Sequence, residues 1–184
     1  MTSGAFNPTN AVNYANSYWG RDANSTAGYN TAYRVYYDQN SGNLADCTNF
    51  VSQAMNWGGW QHAGGWYQDA HYWWYSPNNI VQWGNKAEAW SWINANYWYF
   101  FARYSGRVLN ATYLSDFRPG DVLQLDYSSN DGILDHTEIV TTKDSNGNLY
   151  LTSHAINVHN KSFWDIYAQN PGAAYYGSLM LYQY

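Results

Sequence analysis

The hydrophobic period of the chain changes once, at Phe117-Arg118-Pro119-Gly120, and that change limits the architectures open to it. Before it, apolar residues recur at helical spacing. Asn7-Pro8-Thr9 is a capped entry, with Pro near the first helical position, into Ala11, Val12, Ala15, Tyr18 and Trp19. Phe50, Val51, Ala54 and Met55 form one face of a second helix, which Gly58-Gly59 stops. A further helical pattern over 86–103 carries Ala87, Trp90, Trp92, Ile93, Tyr97 and Phe100. Residues 21–44 read as loop with a short helical piece, and 60–85 as an ordered aromatic loop over the domain surface. After the change, the runs 121–125, 139–142, 149–153 and 178–182 read as strands, with Asn146-Gly147 as a hairpin turn. Helices first and an antiparallel sheet second is an α+β order. The 184 residues suffice for one domain, 1–184, and not for two.

Composition removes several classes of function. Aromatic residues make up 20% of the chain and charged ones only 11%, the reverse of a disordered segment. No stretch reaches the ~18 to 20 apolar residues of a membrane helix. A net charge of −5 argues against a protein that grips nucleic acid through its phosphates. Exposed Trp and Tyr would suit sugars and peptides, since each pairs a flat apolar face with a polar edge. The single cysteine, Cys47, permits neither an intrachain disulfide nor a thiolate-rich metal site, and no cofactor is expected. The opening residues Met1 to Ala5 lack the basic and apolar regions of a signal peptide, so the chain as given reads as cytosolic or as a processed or trimmed form. Low Lys with abundant Asn, Tyr and Trp favours the second, a monomer secreted by a bacterium or attached to its cell wall.

Cys47 falls where a helix should begin, directly after Asp46 as its cap. Unpaired backbone N–H groups and the helix dipole there stabilise a thiolate and can receive an oxyanion. The competing reading is a buried, inert thiol. Of five histidines, His62 and His71 lie in the aromatic loop and His159 beside Asn160 and Lys161. His136 and His154 would stand near the open end of the Asn-Gly hairpin, close enough to supply a base and an orienting partner. Strand parity puts Glu138 on the face of His136, within reach of the imidazole or of a cationic group on a substrate, or else in solvent. Residues 126–135 miss the calcium-loop spacing by one position and read as a turn, calcium being the lesser alternative.

Asp46-Cys-Thr-Asn-Phe-Val-Ser-Gln53, then Gly58-Gly59-Trp60, Arg118-Pro-Gly-Asp-Val122 and His136-Thr-Glu-Ile-Val140 resemble the Putative amidase domain family of bacterial secreted proteins. Ala11-Val-Asn-Tyr-Ala15 resembles that family's opening helix. The family is similar to the NlpC/P60 and CHAP cell-wall peptidases, with a papain-like pairing of a helix-borne Cys and a sheet-borne His. The resemblance implies a hydrolase of amide bonds with Cys47 as nucleophile, His136 as general base and a polar residue of the following strand as orienter. His154 fits that place best and Asn157 competes, on the opposite face of a regular strand. It also implies a peptidoglycan or peptide substrate. Glu138 departs from the family, in which a small or apolar residue stands there. Apart from the resemblance, the aromatic tract with Trp60, Trp66, Trp73 and Trp74 reads as one wall of a substrate groove or as core and loop packing, with Asp46 and Glu138 as further candidate substrate contacts. Two other classes stay open: an aromatic-rich cell-wall or carbohydrate binding module without catalysis, and a papain-like acyltransferase or deamidase toxin acting on proteins.

Overall fold

The computed structural model describes residues 5–20, 28–76, 84, 86–127, 131–154 and 158–181. The helices are α1 (Pro8–Tyr18), α2 (Cys47–Trp57), α3 (Trp90–Ile93), α4 (Ala95–Tyr104) and α5 (Phe163–Gln169). The strands are β1 (Val108–Asn110), β2 (Val122–Asp126), β3 (His136–Lys143), β4 (Leu149–Ser153), β5 (Val158–Ser162) and β6 (Ala174–Met180). All strand pairs are antiparallel, in the order β1-β6-β2-β3-β4-β5. The fold is therefore mixed helix and antiparallel sheet, as the change of period implies. Among the described residues no helix is long and apolar enough to cross a membrane.

Local signals account for most of the boundaries. The Asn7 side chain accepts from the Asn10 N–H, and Pro8 spends no donor at the first helical position. Gly59, at φ 105°, ends α2 with a bond from its N–H to the Asn56 carbonyl. The single helix expected over 86–103 is split, because Asn94 leaves helical conformation and caps α4 by accepting from the Tyr97 N–H. Instead of a short helical piece, the described part of 28–44 holds turns and one bridge, Tyr37 to Leu44. Gly120, at φ 98°, lets the chain enter β2 so close to Pro8 that an added Cβ would stand 2.7 Å from the proline Cβ.

The sheet is covered on both faces, which is why all five residues of β2 are buried and its pattern does not alternate. Val122 and Ile139 face α1, α2 and α4, packing with Tyr14, Phe50, Ala54, Trp98 and Phe101. Leu123, Leu125, Val140 and Leu151 face the other way, onto Phe163 and Ile166 of α5.

Helix α2 runs through this core with every residue from Cys47 to Met55 buried. Its polar side chains need partners there, and aromatic edges supply most of them. The Tyr14 hydroxyl donates to Gln53 at 2.5 Å, Trp92 Nε1 to Asn49 at 2.8 Å and Trp73 Nε1 to Ser52 at 3.1 Å. The Thr48 hydroxyl meets that of Thr137 on β3 at 2.9 Å. The aromatic tract thus clamps the cysteine-bearing helix. Trp60, Trp73 and Trp74, assigned to a substrate groove from the sequence, are at most 5% exposed. Trp60 lies flat on Trp98 with ring centroids 5.6 Å apart, and Trp74 Nε1 donates to the Gly65 carbonyl. That correction has a physical reason: bulk and a polar edge suit these rings to filling the core around polar helix residues. Trp66 is 54% exposed and packs against Tyr67. Trp73→Ala should cost about 3 to 5 kcal/mol and lower Tm by roughly 10 °C, without altering KM in the folded fraction; a changed KM at unchanged Tm would restore the groove assignment.

Candidate active site

Cys47 opens α2, and Asp46 before it does not cap the helix with its side chain. That carboxylate is fully buried and turned elsewhere. It accepts from the Tyr36 N–H at 2.8 Å and from Asn49 Nδ2 at 2.9 Å, and holds His154 Nδ1 at 2.5 Å. Asp46 is therefore a strut under the cysteine loop, and a contact with substrate is excluded by its burial. The first-turn N–H groups of α2 are left without a side-chain acceptor, beside the sulfur.

His136, the first residue of β3, stands beside Cys47 and is its strongest charge partner, as Cys47 is for the imidazole. Its Nε2 lies 3.0 Å from Glu138 Oε1, which leaves Nδ1 outside that contact. The imidazole thus sits between the cysteine and the carboxylate. Cys47 is 9% exposed, His136 6% and Glu138 3%. Tyr127 lies over the His136 ring with centroids 5.9 Å apart.

Burial opposes charge on both members of the Cys47–His136 pair, and mutual attraction outweighs it. For Cys47 the burial penalty is offset by the neighbouring imidazolium, its hydrogen bond, the Thr48 hydroxyl and the Thr137 N–H, and the thiol pKa falls below its ordinary value. For His136 the same penalty is offset by the thiolate and then by Glu138, and the imidazolium is held up to about 10. Each charged form therefore favours the other, thiolate on Cys47 and imidazolium on His136. Burial, followed by the charges of Glu138 and Cys47, pushes the Tyr127 hydroxyl upward, so it remains a donor.

The side chain in contact with His136 is Glu138, and His154, expected in that place, is engaged elsewhere. In the β3–β4 register Ile139 pairs with Thr152, which carried two residues further sets His154 opposite Thr137, on the α2 face of the sheet. His136 and Glu138 project from the opposite face, with Val140. Both His154 nitrogens are occupied, by Asp46 and by the Tyr18 carbonyl at 2.6 Å, and its ring is stacked between Tyr29 and Phe50. His154 thus ties α1 and β4 to the strut under Cys47. Removing it leaves two buried acceptors short of a donor, each worth about 1 to 3 kcal/mol. His154→Ala should lower Tm by roughly 5 °C or more and leave kcat of the folded fraction nearly intact; loss of kcat at unchanged Tm would return His154 to the reaction.

Asn157, the competitor for that place, lies outside the described residues, as do 128–130 of the acidic turn. The carboxylates flanking that turn serve it as acceptors: Asp126 takes the Gly132 N–H, Asp131 that of Ile133 and Asp135 that of Tyr127. His62, His71 and His159 make no contact with Cys47 among the described residues. They pack on Trp73 and Trp92, on Tyr104, and on Trp19 respectively. Sequence reasoning missed Tyr127, whose parity with Leu125 was available, and missed Lys161, Gln169 and Asn170, which sit on β5 and α5 where no pattern announced an element.

The chain matches no solved structure. It is 30% identical over 173 residues to the uncharacterized protein YhbB of Bacillus subtilis (strain 168), covering 90% of this chain and 47% of that protein. It is 29% identical over 160 residues to the uncharacterized protein YjcM of the same strain, covering 82% of this chain and 32% of the other. The chain thus spans less than half the length of these curated relatives. The Putative amidase domain matches residues 5–178, a stretch that holds Cys47, His136 and Glu138 together with the helices and strands that position them, and the chain belongs to that family, whose description points to hydrolysis of amides.

Proposed function

We propose that the protein is a cysteine-dependent amide hydrolase of papain-like type, acting outside the cell on the peptide amides of bacterial peptidoglycan. One observation carries the reading: a thiol at the start of a buried helix stands beside an imidazole whose Nε2 is held by a buried carboxylate. The family supports an amide substrate. The cell wall is supported by the likeness of the cysteine and histidine motifs to those of wall peptidases.

In the reaction the Cys47 thiolate attacks the carbonyl carbon of the amide, and the oxygen takes the negative charge beside the uncapped N–H groups of α2. The His136 imidazolium gives its proton to the departing amine as the C–N bond breaks, leaving a thioester. Neutral His136 then takes a proton from water, the hydroxide adds to the thioester, and the C–S bond breaks to release the acid and the thiolate. Glu138 keeps the ring turned and its charged form favoured at each stage. Purified peptidoglycan incubated with the protein should release fragments bearing a new free amine and a new carboxylate, read by mass spectrometry. A digest identical to the buffer control would sink the wall substrate, and fragments joined to an added amine would make the enzyme an acyltransferase.

A further inference from the structure

Behind His136, on the α5 face of the sheet, lies a cavity of about 220 Å³ lined by Tyr127, His136, Glu138, Lys161, Gln169 and Asn170 among others. A second cavity, of about 390 Å³, shares Tyr127, Gln169 and Asn170 and continues toward Pro171 and Ala173. Glu138 spends one oxygen on His136, and its other oxygen, Oε2, is buried without a hydrogen-bond partner. An unpaired carboxylate oxygen at 3% exposure is costly unless something binds it. Across the same cavity Lys161 bonds Gln169 and retains two N–H donors. Among the described residues no ion pair joins Lys161 to Glu138, so one cavity presents separate sites of opposite sign.

The volume is below the roughly 300 to 1,000 Å³ of small-molecule sites, so the occupant is a terminal group and not a sugar chain. The cavity borders His136 on its Glu138 side. On the hydrolase reading above, on which this inference rests, His136 hands its proton to the leaving amine, so the remainder of the leaving group extends past the ring into this cavity.

We propose that this cavity binds the leaving group of the scissile amide and selects one that ends in an amino-acid zwitterion, its free ammonium on Glu138 Oε2 and its carboxylate on Lys161 Nζ. The Tyr127 hydroxyl and the Asn170 amide complete the polar wall.

The test uses the full chain carrying Cys47→Ala, so that binding is read without turnover. Alanine, N-acetylalanine and alaninamide are titrated while the ring resonances of Tyr127 and His136 are followed by NMR. Alanine should shift both rings saturably and bind at least tenfold more tightly than either derivative. Adding Lys161→Met should erase the preference over alaninamide and keep that over N-acetylalanine, and adding Glu138→Gln should do the converse. Equal binding of the three probes, no saturable shift, or discrimination indifferent to Lys161 and Glu138 would overturn the proposal. Cleavage of peptidoglycan by the unaltered protein is a separate readout: cleavage without alanine binding sinks the subsite alone, and binding without cleavage removes the leaving-group assignment together with the hydrolase.

Discussion

Cys47→Ala is expected to lower kcat for amide hydrolysis by on the order of 10⁴-fold to 10⁶-fold, with Tm changed by only a few degrees. In the proposed reaction the sulfur bonds the carbonyl carbon, and no other thiol exists in the chain to replace it. Alanine fits the same site at the start of α2, where Thr48, Asn49, Ser52 and Gln53 keep their own partners. A second consequence separates a nucleophile from a buried filler. With the thiolate gone, the largest influence that raises His136 is lost, and the imidazolium pKa should fall, visible as an NMR titration of its ring protons. In the unaltered protein, alkylation by iodoacetamide should track the thiolate and set in below the ordinary thiol range of about 8.5. Hydrolysis at equal rates by the two proteins would falsify the nucleophile.

The parts of this molecule that were legible in its sequence are those set by local rules. Asn7-Pro8, Gly58-Gly59 and Asn146-Gly147 each fix a backbone conformation within a few residues, and α1, the end of α2 and the β3–β4 hairpin follow from them. The α+β order follows from the single change of period. The places of Cys47 at a helix start and of His136 at a strand start were legible through motif and strand position, because both are local facts. Whatever depended on registers and on third partners was not. His154 and Glu138 exchanged roles because the strand that orders them is shared, and only the pairing of Ile139 with Thr152 decides which ring faces which side. The tryptophans were misread for a related cause: a ring with a polar edge serves a groove or a polar core helix equally well, and the choice depends on α2 being buried on all sides. Strand β5 is almost wholly polar and helix α5, though apolar, runs for only seven residues, too short for its period to stand out, so the cavity they complete had no sequence signal.

His136→Ala should be nearly as damaging as loss of the thiol, for it removes the base, the acid and the charge that keeps Cys47 ionised. Burial alone raises a thiol, so without the imidazolium the Cys47 pKa climbs and alkylation at neutral pH slows as well. Glu138 has a graded version of the same effect. The unaltered enzyme should show a bell-shaped profile of kcat/KM: activity appears as pH rises through the lowered pKa of Cys47 and disappears as the His136 imidazolium loses its proton, at about 10. Glu138→Gln keeps an oxygen for the imidazole N–H and removes the negative charge that helps hold the proton. The alkaline limb should therefore move to lower pH, and kcat should fall about 10²-fold from a less well oriented ring. The acid limb should stay near its place, since the imidazolium is fully charged where Cys47 loses its proton and Glu138 is not among the groups that shift the thiol. His154→Ala, which leaves the Glu138 to His136 contact untouched, should keep both limbs where they are while it lowers Tm. A Glu138 that merely packs the strand would give the opposite pair of results, a lower Tm with both limbs unmoved, and that outcome would return the third place in the site to a residue not yet assigned to it.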